Sequence, residues 1–132
     1  KHNDINYIEF PANDLDASKA FFNTVFGWQF QDYGPDYIAF SSVGTDGGFY
    51  RSNLSGSAEA GGALVVLYSN DLEASLADVK AAGGEILKPI FSFPGGRRFH
   101  FREPSGNELA VWGEWAKSAS NKFSMFRRYR IS

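Results

Sequence analysis

The sequence predicts an α+β fold made of two tandem βαβββ modules, and three observations carry that prediction. A hexapeptide occurs twice: Asn13-Asp14-Leu15-Asp16-Ala17-Ser18 returns 57 residues later as Asn70-Asp71-Leu72-Glu73-Ala74-Ser75, with only Asp against Glu changed. The same offset matches Ala20 with Ala77 and Gly27 with Gly84. Each copy follows a short apolar run (Tyr7 to Phe10, Leu64 to Tyr68), and each precedes a helix-like segment that ends at glycine. A repeat of this length marks a duplicated supersecondary unit. Two copies are too few for a solenoid and predict two modules closing on each other.

Taken in order, Ile5 to Phe10 alternates as a strand does, with Ile8 and Phe10 on one face and Ile5, Tyr7 and Glu9 on the other. The repeated Asn-Asp is a helix N-cap signal, because a side-chain oxygen there accepts from a backbone N–H that would otherwise be unpaired. The acidic residue in the first turn suits the helix dipole. Leu15, Phe22, Val25 and Phe26 share a face of a first helix, Leu15 to Phe26, which Gly27 stops. Trp28 to Tyr33 reads as a second strand, Gly34-Pro35-Asp36 as a turn, Tyr37 to Ser42 as a third strand and Gly48 to Arg51 as a short fourth. Module one thus spans residues 5–51.

Residues 52–62 are rich in Ser, Gly and Ala and read as a linker. Module two, residues 63–115, repeats the plan. A strand from Ala63 to Tyr68 leads to a helix from Leu72 to Ala82 that carries Leu72, Leu76 and Val79 on one face and stops at Gly83-Gly84. A sixth strand begins at Glu85 and runs to Leu87 or on to Ile90. Phe93-Pro94-Gly95-Gly96 reads as a loop, Arg97 to Arg102 as a seventh strand and Glu108 to Trp112 as an eighth. The latter two are joined by the tight turn Glu103-Pro104-Ser105-Gly106-Asn107. Residues 1–116 are read as one domain and 117–132 as a basic, aromatic tail.

Composition narrows the class. At 132 residues, 43% hydrophobic and 17% aromatic, the chain has ample material for a core. It has no cysteine, which excludes disulfides, thiolate metal sites and a cysteine nucleophile, and fits a cytoplasmic protein. No apolar run is long enough to span a membrane, so no membrane association is expected. Net charge is −2, but the tail holds Lys117, Lys122, Arg127, Arg128 and Arg130 and no acid, leaving −7 on the rest. An acidic body argues against nucleic acid as a partner. Gly95-Gly96-Arg97-Arg98 does not open a helix, so it is a weak phosphate signal, and no serine lies in a nucleophile-elbow pattern.

The paired βαβββ modules, the Asp-Leu-x-x-Ser helix starts at Asp14 and Asp71, the run Phe21-Phe22 through Phe26-Gly27-Trp28, and the turn Glu103-Pro104-Ser105-Gly106-Asn107 together resemble the vicinal oxygen chelate superfamily. That superfamily includes glyoxalase I, bleomycin-resistance proteins, extradiol dioxygenases and fosfomycin-resistance enzymes. The resemblance implies a curved mixed sheet around a cup, with helices outside, the site in the concavity, and a homodimer. It does not imply one reaction, because function resides in the site and not in the fold.

In metal-using members of this superfamily, His, Gln or Glu ligands stand on the first and last strands of each module. Counting from the motifs, the resemblance places those positions at Tyr7, near Phe49 or Tyr50, at Leu64 and at Ala110. Leu and Ala cannot coordinate a metal, so no metal and no other cofactor is expected. If Ile8 and Phe10 pack under the helices, Tyr7 and Glu9 face the cup, and so do Glu108, Ala110 and Trp112. A simple hairpin at 104–107 sets His100 across from Ala110 and Arg98 across from Trp112. The expected ligand-binding set is therefore Tyr7, Tyr50, Leu64, Arg98, Glu108, Ala110 and Trp112. The expected proton-transfer pair is His100 with Glu9. Arg98 either binds an anionic group or pairs with Glu108 at the rim. The leading expectation is a metal-independent protein that holds a small organic ligand in an aromatic-walled cup. The alternatives are a lyase- or isomerase-like enzyme using His100 and Glu9, and a dimeric protein-interaction module.

Overall fold

The computed structural model describes residues 1–41 and 43–115. The expected basic tail lies outside the described residues. The order is β1 (Tyr7–Ala12), α1 (Leu15–Phe26), β2 (Gln29–Asp32), β3 (Tyr37–Ser41), β4 (Asp46–Arg51), β5 (Val65–Tyr68), α2 (Leu72–Ala81), β6 (Glu85–Phe93), β7 (Gly96–Arg102) and β8 (Glu108–Gly113). Two βαβββ modules are therefore present. Their strands form two four-stranded mixed sheets of the same topology, β1-β4-β3-β2 and β5-β8-β7-β6. In each, the first strand runs parallel to the last and the remaining pairs are antiparallel.

The repeated hexapeptide does the same work in both copies. Asp14 accepts from the Ala17 N–H at 3.0 Å, and Asp71 accepts from the Ala74 N–H at 3.2 Å. Gly27 closes α1 in the left-handed conformation at φ 73°, where a side chain would be strained. α1 fills its sheet with aromatic rings. Phe22 stacks on Trp28 at 4.5 Å and lies 5.5 Å from Phe49, which stacks on Phe10 at 5.2 Å. α2 buries only Leu72 and Val79 fully, against Phe99, Phe101, Leu109 and Val111 of its own sheet.

The modules meet through α1. Phe21 and Phe26 lie 5.8 and 5.9 Å from Phe101 of β7, which makes one continuous core. A buried carboxylate fastens the junction. Glu103, in the β7–β8 turn, accepts from Ser18 Oγ at 2.6 Å, from the Ser105 N–H at 3.1 Å, and from Asn107 through both its backbone N–H and its amide. The Asn107 amide also donates to the Pro11 carbonyl at 2.7 Å. With four donors and no cation, Glu103 is satisfied by hydrogen bonds alone.

β6 and β4 extend furthest beyond the sequence reading. β6 continues through Pro89 to Phe93, because it is an edge strand and its register shifts between Lys88 and Phe91. β4 begins at Asp46, so Gly47 joins Gly48 as a strand residue. A side chain at Gly47 would strike the Phe40 ring, and one at Gly48 would strike the Tyr37 phenol.

Candidate functional site

The inner faces of both sheets are consumed by the helices, so the open faces are where a ligand has room. Strand parity puts Tyr7 and Glu9 of β1, Tyr37 and Ala39 of β3, and Asp46, Gly48 and Tyr50 of β4 on the open face of module one. Tyr7 and Tyr50 are 47% and 36% exposed there. Tyr37 lies over Gly48 and donates to Glu9 Oε2 at 2.9 Å, while its oxygen lies 2.6 Å from that of Tyr7. Burial, the hydrogen bonds to Tyr7 and Glu9 and their charges all push the Tyr37 phenol well above its ordinary range, so it stays protonated as a donor. A concavity of about 660 Å³ adjoins this group, lined by Tyr7, Gln31, Tyr33, Tyr37, Ala39 and Asp46 among others.

Module two presents a different face. His100 pairs in register with Ala110, and Arg98 with Trp112, as the hairpin argument expects. The Arg98 guanidinium lies 5.3 Å from the Phe91 ring centre and 5.6 Å from that of Phe93. Trp112 packs at 5.0 Å against Tyr68 and at 6.2 Å against Phe93. Tyr68 and Val66 are exposed on this face, and half-buried Leu64 immediately precedes β5.

Two expected pairings are replaced. Glu108 pairs with His100 Nδ1 at 2.8 Å and not with Arg98. The geometry is a cross-strand diagonal, since Glu108 lies two residues from the direct partner of His100. Glu9 bonds Tyr37, so the carboxylate that orients His100 is Glu108. Burial pushes the Glu108 carboxyl up. The hydrogen bonds from His100 and the Ala58 N–H, with the charges of His100 and Lys88, outweigh it, and the net shift is downward. The other imidazole nitrogen, Nε2, is buried and has no hydrogen-bond partner among the described residues.

Sequence reasoning missed Tyr37, Tyr33, Phe91 and Phe93. These four lie on or beside β2, β3 and β6, strands to which neither the family positions nor the 104–107 hairpin points. One signal was available for Tyr37: strand parity sets it opposite Tyr50 with a glycine, Gly48, beside it.

The donor set at the implied metal positions does not fit a metal. Ala110 is fully buried and Phe49 lies in the core, neither having a donor atom, and Leu64 has none either. Among the described residues, no group of three or more His, Cys, Asp or Glu is arranged to hold a metal ion. Likewise no helix among them is long and apolar enough to cross a membrane.

A family model described as the Glyoxalase/Bleomycin resistance protein/Dioxygenase superfamily matches residues 4–111. No curated protein matches the sequence. Among solved structures, the chain is similar to a glyoxalase-related enzyme from Fulvimarina pelagi, with 20% identity, a TM-score of 0.71, and coverage of 85% of this chain and 88% of the other. It is similar to a lactoylglutathione lyase from Agrobacterium tumefaciens (21%, 0.64, 84% and 93%). It is also similar to a genomically encoded fosfomycin resistance protein from Listeria monocytogenes (14%, 0.71, 84% and 93%). At these identities the likeness is one of fold.

Proposed function

Because the chain belongs to the Glyoxalase/Bleomycin resistance protein/Dioxygenase superfamily, we propose that it is a metal-independent member that binds a small organic molecule between aromatic walls. One observation carries this reading. Of the large hydrophobic side chains exposed among the described residues, Tyr7, Tyr33, Tyr50, Val66 and Tyr68 sit on or beside the two open sheet faces. Apolar and aromatic walls with a few convergent polar groups are what a small-molecule site needs. Tyr7, Tyr37 and Tyr50 form the wall in module one. Arg98, Trp112 and Leu64 form it in module two, with Ala110 as floor and Glu108 holding His100. The protein acts as a homodimer in the cytoplasm on this reading. β1 and β5, both sheet edges, flank an apolar cleft of about 530 Å³ that a second copy would close.

The test is elemental analysis of protein purified without a metal-affinity tag, followed by a thermal-shift screen of aromatic compounds with and without added divalent ions. The expected result is metal below about one tenth of an equivalent, with hits that raise the unfolding midpoint independently of metal. Near-stoichiometric metal, or hits that require it, would overturn the metal-independent reading.

The orphaned Nε2 of His100 favours a second reading, proton transfer within the same cup. With Nδ1 held by Glu108, a neutral His100 offers Nε2 as a base. His100→Gln that binds ligand but loses turnover supports this reading, and His100→Gln with unchanged turnover removes it.

A further inference from the structure

The hydrogen bonds on the open face of module one run in one direction, and that direction selects a ligand. An ionised Glu9 can only accept, so the single proton of Tyr37 is committed to Glu9 Oε2. Tyr37 must then accept from Tyr7, which commits the proton of Tyr7 as well. The Tyr7 oxygen therefore presents only lone pairs outward. Glu9 Oε1 has no partner among the described residues. Every outward valence of this group is an acceptor.

No cation of module one answers it. The module holds two basic residues, Lys19 and Arg51, against six acidic ones. Lys19 is bound to Asp32, and Arg51 to Asp36 and the Pro35 carbonyl. Asp46, in register with Tyr7, also lines the concavity and makes no ion pair among the described residues. The walls of that concavity include the rings of Tyr7, Tyr33 and Tyr37, whose faces attract positive charge.

We infer that the ligand of this cup carries a protonated primary or secondary amine, with its N–H groups donated to Tyr7 Oη and Glu9 Oε1 and its apolar body against the tyrosines. This rests on the small-molecule reading above and names the ligand class. Amine character, and not positive charge alone, is specified because the exposed acceptors need donors. A quaternary ammonium offers none, and a neutral alcohol offers a donor without the charge.

The test titrates the full chain with 2-phenylethylamine hydrochloride, following the backbone amide signals of residues 7–9, 37 and 46–48 by NMR. 2-Phenylethanol and the N,N,N-trimethyl analogue serve as controls. The expected result is saturable shifts, with the alcohol about tenfold weaker and the trimethyl analogue between the two. Glu9→Gln should bring the amine to the affinity of the alcohol and leave the alcohol unchanged. Tyr7→Phe, which keeps the ring and removes the acceptor, should weaken the amine about threefold and spare the trimethyl analogue. Equal binding of amine and alcohol, or no response to Glu9→Gln, overturns the amine inference while leaving the cup reading intact. If no aromatic compound of any charge shifts these residues, both readings fall.

Discussion

Modules one and two share a plan down to the capping aspartates, and they differ on the surfaces that the plan leaves free. At the 57-residue offset, Tyr7 and Glu9 correspond to Leu64 and Val66. Module one shows a tyrosine–carboxylate face. Module two shows an arginine laid on phenylalanines, a histidine–glutamate pair and a tryptophan. The duplicated helices diverge as well. Phe22 of α1 corresponds to Val79 of α2, and Ser18, which reaches into the other module, corresponds to Ser75, which bonds only Ser69 nearby. A scaffold held by caps, turns and inner-face residues leaves the outer strand faces freer to diverge. Duplication there yields two different surfaces from one architecture.

The sharpest way to break this comparison is in the core. Phe22→Ala should cost about 3–5 kcal/mol, since the ring touches Trp28, Phe49, Phe21 and Phe26. Val79→Ala at the matching position should cost roughly 2 kcal/mol at ~0.8 kcal/mol per lost methyl group. Urea denaturation of both variants measures the difference, and equal losses would deny that α1 is the dominant helix. Next is the serine pair. Ser18→Ala removes a buried donor to Glu103 and should cost about 2 kcal/mol. Ser75→Ala breaks one half-buried bond and should cost under about 1 kcal/mol.

The smallest effect concerns acid. The folded-state carboxyl of Glu108 titrates below its ordinary value of 4.5. Its contribution to stability is therefore complete above that value and is lost as pH falls through the lowered one. The stability gap between the wild type and Glu108→Gln should be widest near neutrality and narrow below about pH 4.5. A gap that stays constant from pH 7 to pH 3 would show that the His100 pair contributes nothing through charge.

The fold was legible because its determinants are local. α1 was read to the residue from one cap, one apolar face and one glycine. The hairpin register of His100 and Arg98 followed from a turn whose chemistry is unmistakable. What escaped depended on neighbours distant in sequence. β6 was read to stop at Leu87 or Ile90, because the edge position that tolerates Pro89 is a property of the whole sheet. Gly47 was left outside β4, because the Phe40 ring that excludes a side chain there comes from β3. The rim pair of Glu108 with Arg98 was one of two readings, and it gives way to His100, whose direct partner Ala110 lies two residues from Glu108 while that of Arg98, Trp112, lies four away.

The Glu103 junction has a consequence for how the chain is made. Ser18 and Glu103 are 85 residues apart, and Phe101 arrives only two residues before Glu103. At ~5–20 residues per second, a ribosome delivers the second partner roughly 4–17 s after the first. For that interval the Phe101 and Glu103 that meet Phe21, Phe26 and Ser18 have not yet been made. The duplication gives the finished protein its second surface, and it also makes the first half wait for the second.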